Sequence, residues 1–90
     1  MQIEHQPDRQ RFAITIDDHE AELDYVREGD VLVITHTGVP AAIGGRGIAG
    51  VLMQAAADFA RANGLRVRPA CSYAASWMDR HRDEVGALRA

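Results

Sequence analysis

The chain has 90 residues, of which 47% are hydrophobic and 26% charged, and a formal net charge of -3. This composition is typical of one small globular domain spanning residues 1–90, and it excludes a disordered chain. The acidic balance argues against nucleic-acid binding, the absence of a long apolar run against a membrane span, and the single cysteine against an internal disulfide. The polar N-terminus lacks the apolar core of a signal peptide, so we expect a cytoplasmic protein.

The first half of the chain has the residue pattern of β-strands. Alternating apolar residues and a short apolar run predict strands over residues 11–16, 20–26 and 31–39, and more weakly an edge strand over residues 1–5. Asp17-Asp18 marks a turn, and Pro40 ends the last strand because it has no N–H to donate. Connections this short imply hairpins and therefore an antiparallel meander.

The second half changes to a helical period. Apolar residues spaced by three and four predict a helix over residues 48–63, which Asn63-Gly64 ends. A short strand over residues 65–70 and a helical region from Ser72 follow. The order strand, helix, strand favours a parallel pairing with a right-handed crossover. The predicted fold class is α+β, with a mixed sheet packed against helices.

The run Gly44-Gly45-Arg46-Gly47-Ile48-Ala49-Gly50 follows a strand and opens the long helix. Unpaired N–H groups at a helix N-terminus, with glycines that let an anion approach the backbone, form a phosphate cradle. Arg46 adds a cation that can grip phosphate oxygens. The chain has no lysine, which excludes a P-loop. The alternative is a flexible turn that binds nothing.

Three segments and the last helix carry a resemblance to a known family. They are His36-Thr37-Gly38-Val39-Pro40, Gly45-Arg46-Gly47-Ile48-Ala49, Pro69-Ala70-Cys71 and the C-terminal helix with His81. Together they resemble the small YjdJ-type members of the GNAT N-acetyltransferase superfamily, over nearly the whole chain. The superfamily's acetyl-CoA motif, Gln/Arg-x-x-Gly-x-Gly/Ala, matches at Gly47 and Ala49 but has Gly44 at its first position. Gly38 also stands where an acidic residue often follows His-Thr in these small proteins.

The resemblance implies a small N-acetyltransferase that uses acetyl-CoA and acetylates a primary amine. The CoA pyrophosphate would lie over residues 44 to 49, and the pantetheine arm along residues 37 to 39. The strand at residues 65–70 would splay away to admit that arm, with the thioester near Cys71. The implied cofactor-binding residues are Thr37, Gly38, Val39, Gly44, Gly45, Arg46, Gly47, Ile48 and Ala49.

Three side chains are candidates for the chemistry, each with a structural alternative. Cys71 precedes a helix, where a thiolate nucleophile is stabilised, but free cysteine is often a small buried hydrophobe. His36 has an imidazole that could act as the base, and Tyr73 could donate a proton to the leaving thiolate. Both could instead be structural. His81 is expected to cap the last helix or to pair with a neighbouring carboxylate, and no histidine spacing indicates a metal site.

The sequence leaves three functions open. The first is the acetyltransferase, and the second is a non-catalytic CoA- or acyl-CoA-binding module that needs a partner. The third is an interaction domain whose glycine turn binds no nucleotide. The acceptor, and the choice between a monomer and a weak homodimer, stay open.

Overall fold

The computed structural model describes residues 1–90, which form five strands and three α-helices. The strands are β1 (Ile3–Gln6), β2 (Arg11–Ile16), β3 (His19–Glu28), β4 (Val31–Gly38) and β5 (Arg66–Pro69). The helices are α1 (Ile48–Ala62), α2 (Ser72–Arg80) and α3 (Arg82–Val85). All five strands join one sheet in chain order, β1-β2-β3-β4-β5.

The sheet confirms the predicted mixed topology. The first four strands pair antiparallel through hairpins, and β5 pairs parallel to β4 after the crossover through α1. Asp17 and Asp18 both adopt positive φ, at 51° and 64°, as the central residues of a two-residue hairpin turn do. A register shift opposite Asp24 and Tyr25 places a β-bulge between β3 and β4. The bulge lies at the point where β4 changes from buried residues, ending at Ile34, to exposed residues, beginning at Thr35.

The long helix matches the prediction to within one residue. α1 begins after Gly47, whose φ of 71° is left-handed, and ends at Asn63 and Gly64. Its apolar stripe is buried against the sheet: Ile48, Leu52, Met53, Ala56, Ala57 and Ala60. The C-terminal helical region, by contrast, is interrupted. His81 has the non-helical angles φ -115° and ψ 27°, so α2 ends at Arg80 and α3 starts a new short turn.

One hydrophobic cluster holds the layers together. Inward-facing strand residues such as Leu23 and Ile34 join residues of all three helices, among them Leu52, Trp77 and Val85, in this cluster. The other face of the sheet carries charged side chains, including two ion pairs from Arg11 to Glu20 and Asp24, and no helix covers it. None of the helices has the length and apolar character needed to cross a membrane.

An aromatic group lies between the sheet and α1 at the β1 edge. The ring of His5 stacks on Phe12 with centroids 4.2 Å apart and meets the edge of Phe59. Its Nε2 lies 2.6 Å from the hydroxyl of Tyr25. Burial lowers the pKa of His5 from its ordinary value and raises the pKa of Tyr25, although Arg27 opposes the latter shift. The folded state therefore favours the neutral form of both side chains.

Candidate functional site

The second half of β4 has a strand neighbour on one side only. Its ladder with β3 continues to Gly38, whereas its ladder with β5 ends at the pair Ile34 and Pro69. One further hydrogen bond, from Ala70 N to the carbonyl of Ile34 at 2.9 Å, closes that ladder. Residues 35–38 therefore offer an unpaired strand edge, as the expected splay of β5 requires.

The glycine turn lies beyond this edge and leads directly into α1. A 3₁₀ turn over Ala41–Ile43 buries Ile43 and anchors the start of the turn to the core. Gly45 and Gly47 have φ of 75° and 71°, which L side chains rarely adopt, so the turn depends on glycine at these positions. No side chain caps the N-terminus of α1, so its first N–H groups are open to an anion.

Arg46 projects from this turn as a half-exposed cation. Its Nη1 lies 3.6 Å from Oδ2 of Asp17, at the tip of the β2–β3 hairpin. The two side chains are 47% and 72% exposed, so the ion pair is weak and screened by solvent. An anion at the N-terminus of α1 would compete with Asp17 for the guanidinium.

Cys71 lies at the opening between β4 and β5, on the helix face of the sheet. It is the N-cap of α2, and its Sγ accepts a hydrogen bond from Ala74 N at 3.4 Å. Thr37 Oγ1 lies 3.7 Å from the same sulfur. The thiol is partly buried against the core, and hence the structure places it between the open strand edge and a helix N-terminus.

His36 and Tyr73 do not form one cluster with Cys71. Successive strand residues point to opposite faces, so His36 lies on the uncovered face while Thr37 meets Cys71 on the helix face. The His36 side chain is 58% exposed, and its Nε2 lies 3.3 Å from Oε1 of Glu22. The Tyr73 hydroxyl lies over Gly50, where an added Cβ would be 3.7 Å away. Tyr73 therefore approaches the first turn of α1.

The expected pairing of His81 with a carboxylate is not found. Its Nδ1 lies 2.8 Å from the carbonyl oxygen of Trp77, and its ring stacks on the indole with centroids 4.1 Å apart. His81 is the C-cap residue of α2, and its contact with the Trp77 carbonyl confirms the predicted capping role at that helix end, although its side chain makes no capping hydrogen bond at the N-terminus of α3. Stacking on Trp77 holds the ring against α2.

No group of three or more His, Cys, Asp or Glu side chains is arranged to hold a metal ion. A shallow cavity of about 230 Å³ lies at the other edge of the sheet, on its uncovered face. Its lining residues come from the N-terminal segment and β1 to β3: Gln2, Ile3, Glu4, Gln6, Ala13, Thr15 and Glu20. This cavity is separate from the opening between β4 and β5.

Asp17 and Glu22 belong to an acidic run that the sequence predicts to be the solvent face of a strand pair, or else a field that attracts an amine, but no contact of either residue is predicted. The structure brings Asp17 to Arg46. Glu22 lies opposite Gly38 in the β3–β4 ladder, next to His36. The register set by the hairpin turn would pair Glu22 with Thr37, and only the bulge, which has no local sequence signal, places Glu22 opposite Gly38 and beside His36.

The comparisons with known proteins agree with this geometry. A family model described as GCN5-related N-acetyl-transferase matches residues 11–87. The chain is similar to the NMR solution structure of a GCN5-like candidate N-acetyltransferase from Staphylococcus aureus, with 26% identity and a TM-score of 0.79. That likeness covers 99% of this chain and 87% of the other. A search of curated proteins found no match.

Proposed function

Because the chain belongs to the GCN5-related N-acetyltransferase family, we propose that it transfers the acetyl group of acetyl-CoA to a primary amine. One observation carries the proposal. The open N-terminus of α1, with its glycine turn, lies beyond a strand edge that no other strand covers. CoA has an anionic pyrophosphate, which a helix N-terminus can bind, and an extended arm with amide groups, which a free strand edge can bind. Its binding therefore requires these two features next to each other.

The pyrophosphate is proposed to bind at the glycine turn. The backbone N–H groups of residues 45 to 49 would donate to its oxygens, whereas that of Gly44, which the resemblance also assigned to the cradle, already donates to the carbonyl of Ala41 at 3.1 Å. The helix dipole of α1 favours the negative charge. Arg46 would leave Asp17 and bind the phosphates, which present more charge than one carboxylate. The open backbone at Gly45 and Gly47 lets the phosphates approach closely, since no Cβ intervenes.

The pantetheine arm is proposed to bind along residues 37 to 39. Its amide groups would pair with the free edge of β4 in the manner of an added strand. Thr37, Gly38 and Val39 supply the backbone for this pairing, and Val39 also packs against the core. The arm would then end at the opening where Thr37 and Cys71 meet, so the thioester would lie near the Cys71 sulfur.

The chemistry needs a proton acceptor for the amine and a proton source for the leaving thiolate. Bound acetyl-CoA supplies the thioester carbonyl that the amine attacks. We assign His36 as the base because it is an accessible imidazole on the open half of β4. Tyr73 is the proposed proton donor to the thiolate, and Cys71 either lines the thioester site or accepts the acetyl group itself. A lining role for Cys71 is compatible with direct transfer.

A second candidate is a CoA-binding module that does not turn over on its own. The observation that favours it is the separation of the three candidate side chains: His36 lies on the face of β4 opposite to Cys71, and Tyr73 leans toward Gly50. No helix covers the sheet face that carries His36, so an acceptor pocket there would need a partner. Release of free CoA in the presence of an amine separates this candidate from the enzyme.

The test is intact-mass spectrometry after incubation with acetyl-CoA, first under native and then under denaturing conditions. One CoA-sized adduct that denaturation removes is the expected result of reversible binding. An acetyl mass that survives denaturation and disappears in Cys71→Ala would assign a thioester to Cys71. No adduct at saturating acetyl-CoA would overturn the proposal and leave the glycine turn as architecture alone.

A further inference from the structure

Glu22 and His36 form a pair across the open half of β4. Oε1 of Glu22 lies 3.3 Å from Nε2 of His36, and the two side chains are 24% and 58% exposed. In the ladder, Glu22 lies opposite Gly38 and His36 lies opposite Asp24, so the pair is diagonal across the two strands. This diagonal lies immediately after the β-bulge.

The pair occupies the space above Gly38. A Cβ on Gly38 would lie 2.6 Å from Oε1 of Glu22 and 2.9 Å from Nε2 of His36, closer than real Cβ atoms approach other atoms. Gly38 does not have a positive φ, so backbone conformation does not explain its glycine. The glycine makes room for the carboxylate and the imidazole.

Among the neighbouring charged side chains, His36 is the one that pairs with Glu22. Asp24, which faces His36 across the ladder, is bound by Arg11 at 3.1 Å, and Arg11 also reaches Glu20. Glu22 lies within ion-pair distance of no arginine. Its negative charge is therefore directed to the imidazole alone.

We infer that Glu22 is a positioning residue for His36, an inference that rests on the proposed acetyl transfer. Glu22 holds the ring by its Nε2 edge, which leaves Nδ1 free to take a proton. His36 and Cys71 lie on opposite faces of β4, so the proton reaches Nδ1 through a water at the open strand edge. As the amine nitrogen bonds to the acetyl carbon, that nitrogen loses its proton to this water, the C–S bond breaks, and CoA leaves as a thiolate that Tyr73 protonates. The carboxylate of Glu22 stabilises the imidazolium that this step creates.

The first test needs no substrate. The ring ¹H and ¹⁵N resonances of His36 are compared by NMR at one fixed pH in wild type, Glu22→Gln and Gly38→Ala. Removing the carboxylate, or filling the space above Gly38, should change the chemical shifts of the His36 ring in both variants. Glu28→Gln, which removes a carboxylate from the far end of β3, is the control and should leave these shifts unchanged. Unchanged His36 ring shifts in Glu22→Gln would overturn the pairing.

The second test measures acetyl transfer from acetyl-CoA to 1,4-diaminobutane. Glu22→Gln should lower kcat about 5- to 10-fold with KM for acetyl-CoA unchanged, and Glu22→Asp should restore part of the loss. An unchanged kcat in Glu22→Gln would overturn the positioning role. If wild type binds no CoA, the proposed function fails and the positioning role fails with it, whereas the NMR test still decides the pairing itself.

Discussion

The two halves of β4 are made from adjacent residues and have different surroundings. Residues 31–34 pair with β3 on one side and β5 on the other, and Leu32 and Ile34 are fully buried. Residues 35–38 pair with β3 alone, and Thr35 and His36 are exposed. The β-bulge and the end of β5 coincide at this boundary.

The contrast separates a half of β4 that stabilises the sheet from a half that is proposed to bind CoA. The first half is held by two ladders and a packed core, so it gives a rigid base. The second half leaves the backbone N–H and C=O groups of one edge without a strand partner, and its residues are less buried than those of the first half. We therefore expect substitutions in the two halves to affect different measurements.

The largest effect is expected in the buried half. Ile34→Ala removes a fully buried side chain and should lower the free energy of unfolding by about 2–5 kcal/mol. Thr35→Ala, the adjacent exposed residue, should cost less than about 1 kcal/mol. Urea unfolding followed by circular dichroism measures both. Ile34→Val, with an expected loss of about 0.5–1.5 kcal/mol, replaces Ile34→Ala if that variant does not fold. Equal losses at positions 34 and 35 would remove the distinction between the halves.

Arg46→Glu tests the turn that lies beyond the open half. Replacing a charge-assisted contact by a repulsive one should weaken CoA binding about 10- to 100-fold, measured by calorimetry. Arg61→Glu is the matched control, because Arg61 is also half-exposed and also pairs with one carboxylate, but at the other end of α1. Its CoA affinity should stay within about twofold of wild type. Equal weakening by both variants would mean that net charge, and not the turn, binds the phosphates.

The acid stability of the fold should depend on His5 at the β1 edge. Burial places the pKa of His5 in the folded state below its unfolded value of 6.5, so the unfolded chain binds more protons between these values. Stability from this group is complete above pH 6.5 and is lost as pH falls through the folded pKa. The Tm of wild type should therefore decrease as the pH is lowered from 6.5 to the folded pKa of His5.

His5→Gln keeps a polar group near Tyr25 but cannot titrate, so its Tm should be flatter over the same pH range. His19→Gln, at an exposed position beside the β2–β3 turn, is the control and should retain the wild-type slope. A wild-type slope in His5→Gln would assign the acid sensitivity to other groups.

The smallest expected effect is at Asp17. Asp17→Asn releases Arg46 from its ion pair and should tighten CoA binding about two- to fivefold, since an exposed pair is worth less than about 1 kcal/mol. Asp18→Asn changes the neighbouring residue of the same turn, which has no ion pair with Arg46, and should have a smaller effect. Weaker binding in Asp17→Asn would mean that Asp17 holds Arg46 in its binding position.

Most of the fold could be predicted because its signals are local. The alternation in β2, the apolar period of α1 and the stop at Gly64 are each readable from a few residues. The break at His81 was not, because no glycine or proline marks that position in the sequence. The β-bulge was not either, because it arises from the match between two strands. The bulge decides which faces residues 35–38 present, so the Glu22–His36 pair needed the structure.

The open half of β4 and the glycine turn are proposed to bind CoA together. The most direct measurement is a titration of the ¹⁵N-labelled protein with CoA, followed through its backbone amide resonances. The changes should be concentrated in residues 35–39 and 44–50, with little change in residues 31–34. No change at saturating CoA, or changes centred on the cavity at the β1 edge, would contradict this proposal.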